Sequence, residues 1–176
     1  NLSRDENSYS RSMANLLVSR VNQELRALNN AKTSQERQDI ISRVRNFSAT
    51  AINLSNGLTQ RYGNESANWF SQALVYESLI NVVDGSEDWA IRIYDEYSRR
   101  SPKDPLPYLR KGNINLTRAD FLRQSNQANF QSQISKHLKS AEENYLKAIE
   151  LKSNYVLAIY NLGVVYERQG RVKNAI

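Results

Sequence analysis

The sequence predicts an all-α protein, a stack of antiparallel helical hairpins, on three observations. Glycine (6) and proline (3) are scarce among 176 residues. Apolar residues recur at steps of three and four along almost the whole chain, which is the helical period, and no segment alternates as a half-buried strand does. Near the C-terminus a pattern of small and aromatic residues returns after 34 positions.

Taken in order, the first helix is expected over Ser8 to Asn29, with Met13, Leu17, Val21, Leu25 and Leu28 on one face. A second begins near Ser34, where Ser-Gln-Glu-Arg offers an N-cap and a first-turn acid. Its stripe of Ile40, Ile41, Val44, Phe47, Ala51, Leu54 and Leu58 ends at Tyr62-Gly63-Asn64. The third helix is expected over Ser66 to Val83, closed by Asp84-Gly85-Ser86, and the fourth from Glu87 to Arg100. That fourth helix stops before Ser101-Pro102, because the residue preceding a proline is pushed out of the α region. A fifth opens at Pro105-Leu106-Pro107, since first-turn N–H groups have no intrahelical partner to lose. After a polar break at Ser125-Asn126-Gln127 a long helix runs to about Lys152, and the last hairpin opens at Tyr155 and turns at Gln169-Gly170-Arg171.

The repeat is carried by named residues. Ile159, Leu162, Gly163 and Tyr166 occupy one helix, Gly170 its turn and Ala175 the next helix, while Ala141, Tyr145 and Ala148 form the preceding second helix. Ala141 and Ala175 are 34 residues apart. Ala90-x-x-x-Tyr94 with Pro102 gives an earlier second helix, and Tyr108-x-x-x-Gly112 opens the repeat leading to Ala141. Ala90 and Ala141 are 51 residues apart, 17 more than one repeat, so this hairpin carries an insertion. Shared between two helices, it lengthens each by about eight residues, or about 12 Å. Upstream, Trp69, Ala73 and Tyr76 precede Ala90, and Ala51 lies 39 residues before it. Glycine inside a helix costs about 1 kcal/mol relative to alanine. Gly112 and Gly163 are therefore expected where two helices approach closely, with Ala51, Ala90, Ala141 and Ala175 as the small residues opposite. Trp69, Tyr76, Tyr94, Tyr145 and Tyr166 are expected in the core.

With these residues the chain resembles the tetratricopeptide repeat (TPR) family over Ser66 to Ile176, and more loosely upstream. The resemblance implies a TPR-like α-α superhelix, a right-handed solenoid whose first helices line a concave groove that binds a peptide or partner domain. The expected organisation is one domain: a divergent N-terminal hairpin (1–65), a TPR-like repeat (66–104), a repeat with a long inserted hairpin (105–155) and a truncated last repeat (156–176). The groove is expected to be lined by Phe70, Leu74, Leu109, Asn113, Leu116, Tyr160 and Val164, with Arg110 and Asn161 available to peptide carbonyls or an acid. In chaperone-binding members of the family a carboxylate clamp uses Lys, Asn and Arg. The matching positions here are Phe70, Leu74, Arg110, Leu157 and Asn161, so the clamp is absent.

A second resemblance rests on Ala67-Asn68-Trp69, Tyr76-Glu77-Ser78-Leu79, Glu87-Asp88-Trp89-Ala90-Ile91 and Leu151-Lys152-Ser153-Asn154-Tyr155. These strings are similar to the repeat tails of bacterial O-antigen ligase or polymerase-like membrane proteins. That resemblance implies an extracytoplasmic domain of a protein of surface-polysaccharide assembly, with any membrane attachment outside this chain.

Composition limits the chemistry. There are no cysteines, which removes disulfide scaffolds, thiolate zinc sites and cysteine nucleophiles, and the single histidine, His137, is expected to be a solvated helix residue. Adjacent acids such as Glu142-Glu143 and Asp95-Glu96 point in different directions on a helix, and there is no phosphate loop or nucleophile elbow. Neither an enzyme nor a cofactor is expected. The net charge of +6 comes from 24 Lys+Arg against 18 Asp+Glu spread along the chain. A nucleic-acid partner is therefore not expected, and salt-sensitive binding of an anionic ligand, nucleic acid or surface glycan, is the alternative to a protein or peptide partner. No apolar run reaches the ~20 residues that cross a bilayer. Asn-x-Ser/Thr triplets at Asn1, Asn46, Asn53, Asn64 and Asn115 fall mostly on expected helices and are read as chance. The chain begins at Asn1 and reaches Ile176 inside a helical pattern, so it is expected to be a piece of a longer protein, with self-association through the incomplete last repeat as a further expectation.

Overall fold

The computed structural model describes residues 2–125 and 128–171. They form α1 (Leu2–Leu28), α2 (Ser34–Arg61), α3 (Ser66–Ser78), α4 (Ser86–Arg100), α5 (Leu106–Gln124), α6 (Gln131–Leu151) and α7 (Val156–Arg168), with a 3-10 turn at Ala128–Phe130 before α6. The described residues contain no strand. The chain divides into two compact units, Asn1–Tyr97 and Ser98–Ile176, and the division falls inside α4. The repeat pattern instead places a boundary at 104 within a single domain.

In the first unit α1 and α2 form a long hairpin and α3 packs on both. The core is Ala14, Val18, Val21, Ile40, Val44, Ala51, Val75 and Leu79. The buried line on α1 is set by Ala14 and Val18, one residue round from the expected Met13 and Leu17, because the small side chain lets the two helices approach. On α2 the expected stripe is buried or half-buried, except that Ile41 is exposed. Toward the start of α1 the packing turns polar, with Asn7, Ser55, Thr59, Asn68 and Gln72 all buried. Buried amides need partners. Asn68 donates to the Tyr62 carbonyl (3.0 Å) and accepts from Arg11 (2.7 Å), Asn7 donates to Glu65 (2.9 Å), and Gln72 donates to Asn56 (2.6 Å).

Several boundaries differ from expectation, among them the start of α1, which lies at Leu2 and not at Ser8. α2 is capped by Thr33, one residue earlier than Ser34: its hydroxyl accepts from the Glu36 N–H while the Glu36 carboxylate accepts from the Thr33 N–H, a reciprocal capping box. Thr33→Ala is expected to lower stability by about 1 kcal/mol in a denaturant titration. The backbone N–H groups of Lys32 and Thr33 hold the Glu36 carboxyl below its ordinary range. Its contribution is therefore present above the ordinary carboxylate pKa and is lost as pH falls through the lowered value, so acidification frays this helix start. The third helix ends at Ser78, not Val83, because Leu79 drops fully into the core and Asn81 adopts a left-handed φ of 67°.

In the second unit α5 and α6 form the central hairpin and α7 packs on both. α5 and α6 have 19 and 21 residues against 13 in α7, so the insertion lengthens the pair by six and eight residues, or about 9 and 12 Å. Pro105 caps α5, Pro107 sits in its first turn, and the Asp104 carboxylate accepts from the Leu106 N–H at 2.9 Å. The core gathers Leu109, Ala119, Leu122, Ile134, Leu138, Ala141, Tyr145, Ala148, Ala158, Leu162 and Val165. A Cβ on Gly112 would lie 2.5 Å from the Tyr145 ring, so glycine here permits the close approach that its helical position implied. Gly170, at φ 74°, turns the chain after α7. Ala175, the repeat's next small position, lies outside the described residues.

His137 is not simply solvated. It is half-buried, and its Nδ1 sits 3.0 Å from the Asn115 side-chain oxygen across the α5–α6 hairpin. Asn115 is itself buried and donates to the Lys111 carbonyl, so its Asn-x-Thr triplet is closed to modification in the folded state.

Candidate binding face

The second unit places α5 and α7 side by side, joined by two side-chain rungs. Asn161 Nδ2 donates to Asn113 Oδ1 at 2.9 Å, and Arg168 Nε donates to Asp120 Oδ1 at 3.0 Å. Both steps, 113 to 120 and 161 to 168, are seven residues, two helical turns, so the helices run in the same direction in register. Leu116 and Val164, each three residues beyond Asn113 and Asn161, are half-buried. Leu116 packs on the core. Leu157, one turn before Asn161, and Tyr160, directly before it, stand out at 59 % and 70 % exposure.

The polar centre of this face is tied to the core. Tyr145 is fully buried, and its hydroxyl donates to Asn113 Oδ1 at 2.9 Å. Burial pushes the phenol far above its ordinary pKa, outweighing the opposing hydrogen bond with Asn161, so it stays a protonated donor. Asn113 Oδ1 thus accepts two bonds, which fixes the amide orientation and turns its NH2 away from both donors. Asn161 directs its NH2 at Asn113 and at the Tyr145 oxygen and keeps its own oxygen as an acceptor. The result is a positioned donor and a positioned acceptor on adjacent helices.

The expected groove residues do not all belong here. Leu109 is 4 % exposed and is part of the core, because its helical position turns it toward α6. It supports the face from below and offers a ligand almost no surface. Arg110 is half-buried on α5. Phe70 and Leu74 are half-buried in the first unit, where the Phe70 ring packs on Tyr97 at 5.2 Å and Tyr94 at 6.2 Å. Sequence reasoning noted Leu157 only as a missing clamp position and did not see the Asp120–Arg168 rung. A four-residue step back from Asn161 would have found the first, whereas the second needs the register of two helices. Among the described residues no group of three or more His, Cys, Asp or Glu could hold a metal ion. No described helix is long and apolar enough to cross a membrane.

Residues 137–170 match the family model described as TPR repeat. The matched 34-residue stretch covers most of α6 and all of α7. The fold is TPR-like. A thermophilic TPR protein from Thermus thermophilus superposes with a TM-score of 0.51 at 14 % identity, over 94 % of this chain and 86 % of that one. The human IFIT1 dimer with m7Gppp-AAAA gives 0.50 at 16 % identity, over 93 % of this chain. A monomeric IFIT1 mutant with Gppp-AAAA gives 0.50 at 17 %. The chain spans about 40 % of the length of the IFIT1 chains. No curated protein matches. At such identities the likeness is one of fold, and the TPR-like hairpins here keep the small-residue contacts, Gly112 against Tyr145 and buried Ala141, that the repeat pattern implied.

Proposed function

We propose that the chain is a protein-interaction scaffold and that its second unit takes an extended peptide or partner segment along the face of α5 and α7. The observation that carries this reading is the pairing of exposed Leu157 and Tyr160 with the positioned amides of Asn113 and Asn161. A peptide backbone repeats one N–H and one C=O per residue. It can accept from the Asn113 NH2, donate to the Asn161 oxygen and set an apolar side chain on Leu157 and Tyr160. The TPR repeat over 137–170 supports a role in holding partners rather than in chemistry. The resemblance to polysaccharide-assembly tails receives no support from the matches and carries no part of the proposal.

The test is selection of peptides from a displayed random library on the protein, followed by anisotropy with the selected peptides. Leu157→Glu, Tyr160→Glu should weaken binding at least tenfold, as expected when two apolar contacts worth roughly 1 kcal/mol each are replaced by charge. Both residues are exposed, so the variant keeps its fold and its circular dichroism. Selected peptides that bind the double variant equally well would overturn the assignment of this face.

A further inference from the structure

The division of the chain at Tyr97 and Ser98 also divides its charge. Residues 98–176 carry 14 Lys+Arg against 6 Asp+Glu, a net +8, while residues 1–97 carry 10 against 12, a net −2. Most acids of the second unit are already matched. Asp120 pairs with Arg168 at 3.0 Å, Glu142 with Arg171 at 2.9 Å, Glu150 with Lys147 at 2.7 Å and Glu143 with Lys139 at 4.0 Å. The unit as a whole keeps its positive balance.

Two cations of the unit, Lys152 just before α7 and Arg110 on α5, act on Tyr155, the residue that precedes α7. Lys152 Nζ lies 5.1 Å from the centre of the Tyr155 ring, and Arg110 is close enough to the Tyr155 hydroxyl to act on it electrostatically, as Asp104 does in the opposite sense. Tyr155 immediately precedes α7, so Leu157 and Tyr160 follow within the next turn and a half. Apolar anchor and positive charge are therefore local to one another.

Resting on the reading of α5 and α7 as a peptide-binding face, we infer that its occupant is an acidic segment with large apolar side chains, drawn to the cationic second unit and anchored on Leu157 and Tyr160. A second copy docking through its own second unit is disfavoured as occupant, because two units of net +8 repel. A bare polyanion needs the charge but not the anchors, and it leaves Leu157 and Tyr160 unused.

Three fluorescent probes separate these cases in anisotropy titrations of the full chain. One is a peptide pool with Leu, Phe or Trp anchors spaced by Asp and Glu. The second has the same anchors spaced by Asn and Gln, and the third is oligouridine. The acidic pool should bind more tightly than the neutral one, and Arg110→Gln with Lys152→Gln should weaken it roughly 2- to 20-fold, the loss of two partly screened charge contacts. Raised salt should act in the same direction. Lys152→Gln alone, at an exposed site, guards against a folding effect of the Arg110 change. Equal affinity for the acidic and neutral pools, with both lost on Leu157→Glu, Tyr160→Glu, would overturn the acidic partner and leave the peptide face standing. Oligouridine binding that ignores the Leu157 and Tyr160 changes, or failure of both peptide pools to bind, would overturn both.

Discussion

Tyr145→Ala should lower the stability of the second unit by about 3–5 kcal/mol, the range for deleting a fully buried aromatic ring. The ring is 0 % exposed and sits where α5 and α6 come closest, over Gly112. Its removal opens a cavity that the small residues around it, Gly112, Ala141 and Ala148, have no atoms to fill. It also strips Asn113 of one of its two donors. Tyr145→Phe separates the two losses. It keeps the packing and removes only the hydroxyl, so it should cost about 1 kcal/mol, the net value of one hydrogen bond. A denaturant titration followed by circular dichroism reads both. A Tyr145→Ala shift no larger than that of Tyr145→Phe would show that the ring is not what holds the hairpin together.

Gly112→Ala is expected to cost roughly 1–3 kcal/mol, although alanine is the better helix former by about 1 kcal/mol. The new methyl would meet three atoms of the Tyr145 ring at 2.5 to 2.8 Å. A ring fully enclosed by the core cannot swing aside, so the two helices must separate instead. The same substitution should change sign in the Tyr145→Ala background. With the ring gone the obstacle is absent, and Gly112→Ala should stabilise by up to about 1 kcal/mol, leaving only the helix preference. The double-mutant cycle measures this coupling directly. Additive effects would mean that Gly112 and Tyr145 do not share the contact.

Much of this packing was legible in the sequence because it depends on residue size at helical spacing. A glycine at 112, an alanine at 141 and a tyrosine at 145 are constrained by sterics, and the structure brings them to one seam. Helix existence was legible for the same reason, since the apolar period does not depend on the neighbours. What failed is what depends on the neighbours. The early end of α3 follows from Leu79 finding a core site and Asn81 turning left-handed, and neither is written in the helical preference of residues 66–83. The shift from Met13 to Ala14 on α1 is a rotation of less than a third of a turn, set by α2.

The candidate face was legible in part. Asn113, Leu116, Tyr160, Asn161 and Val164 were found by their positions on first helices, and the structure brings them onto adjacent stretches of α5 and α7. Leu109 shares that pattern but lies in the core, because an apolar residue at the border of a helical face is drawn inward whenever a site exists for it. The partner of the Asn113 amide was not legible. Tyr145 is 32 residues away, and its hydroxyl reaches the face only because the ring beneath it is packed against Gly112.

The two rungs joining α5 to α7 also rule the face like a measuring stick. Seven helical residues advance about 10.5 Å, and an extended chain covers that distance in about three residues. Three is odd, and side chains of an extended strand alternate sides. A strand lying along these helices would therefore turn one edge toward the amides at Asn113 and Asn161 and the opposite edge toward the ion pair at Asp120 and Arg168. Neighbouring stations on the same track would thus read different sides of the same ligand.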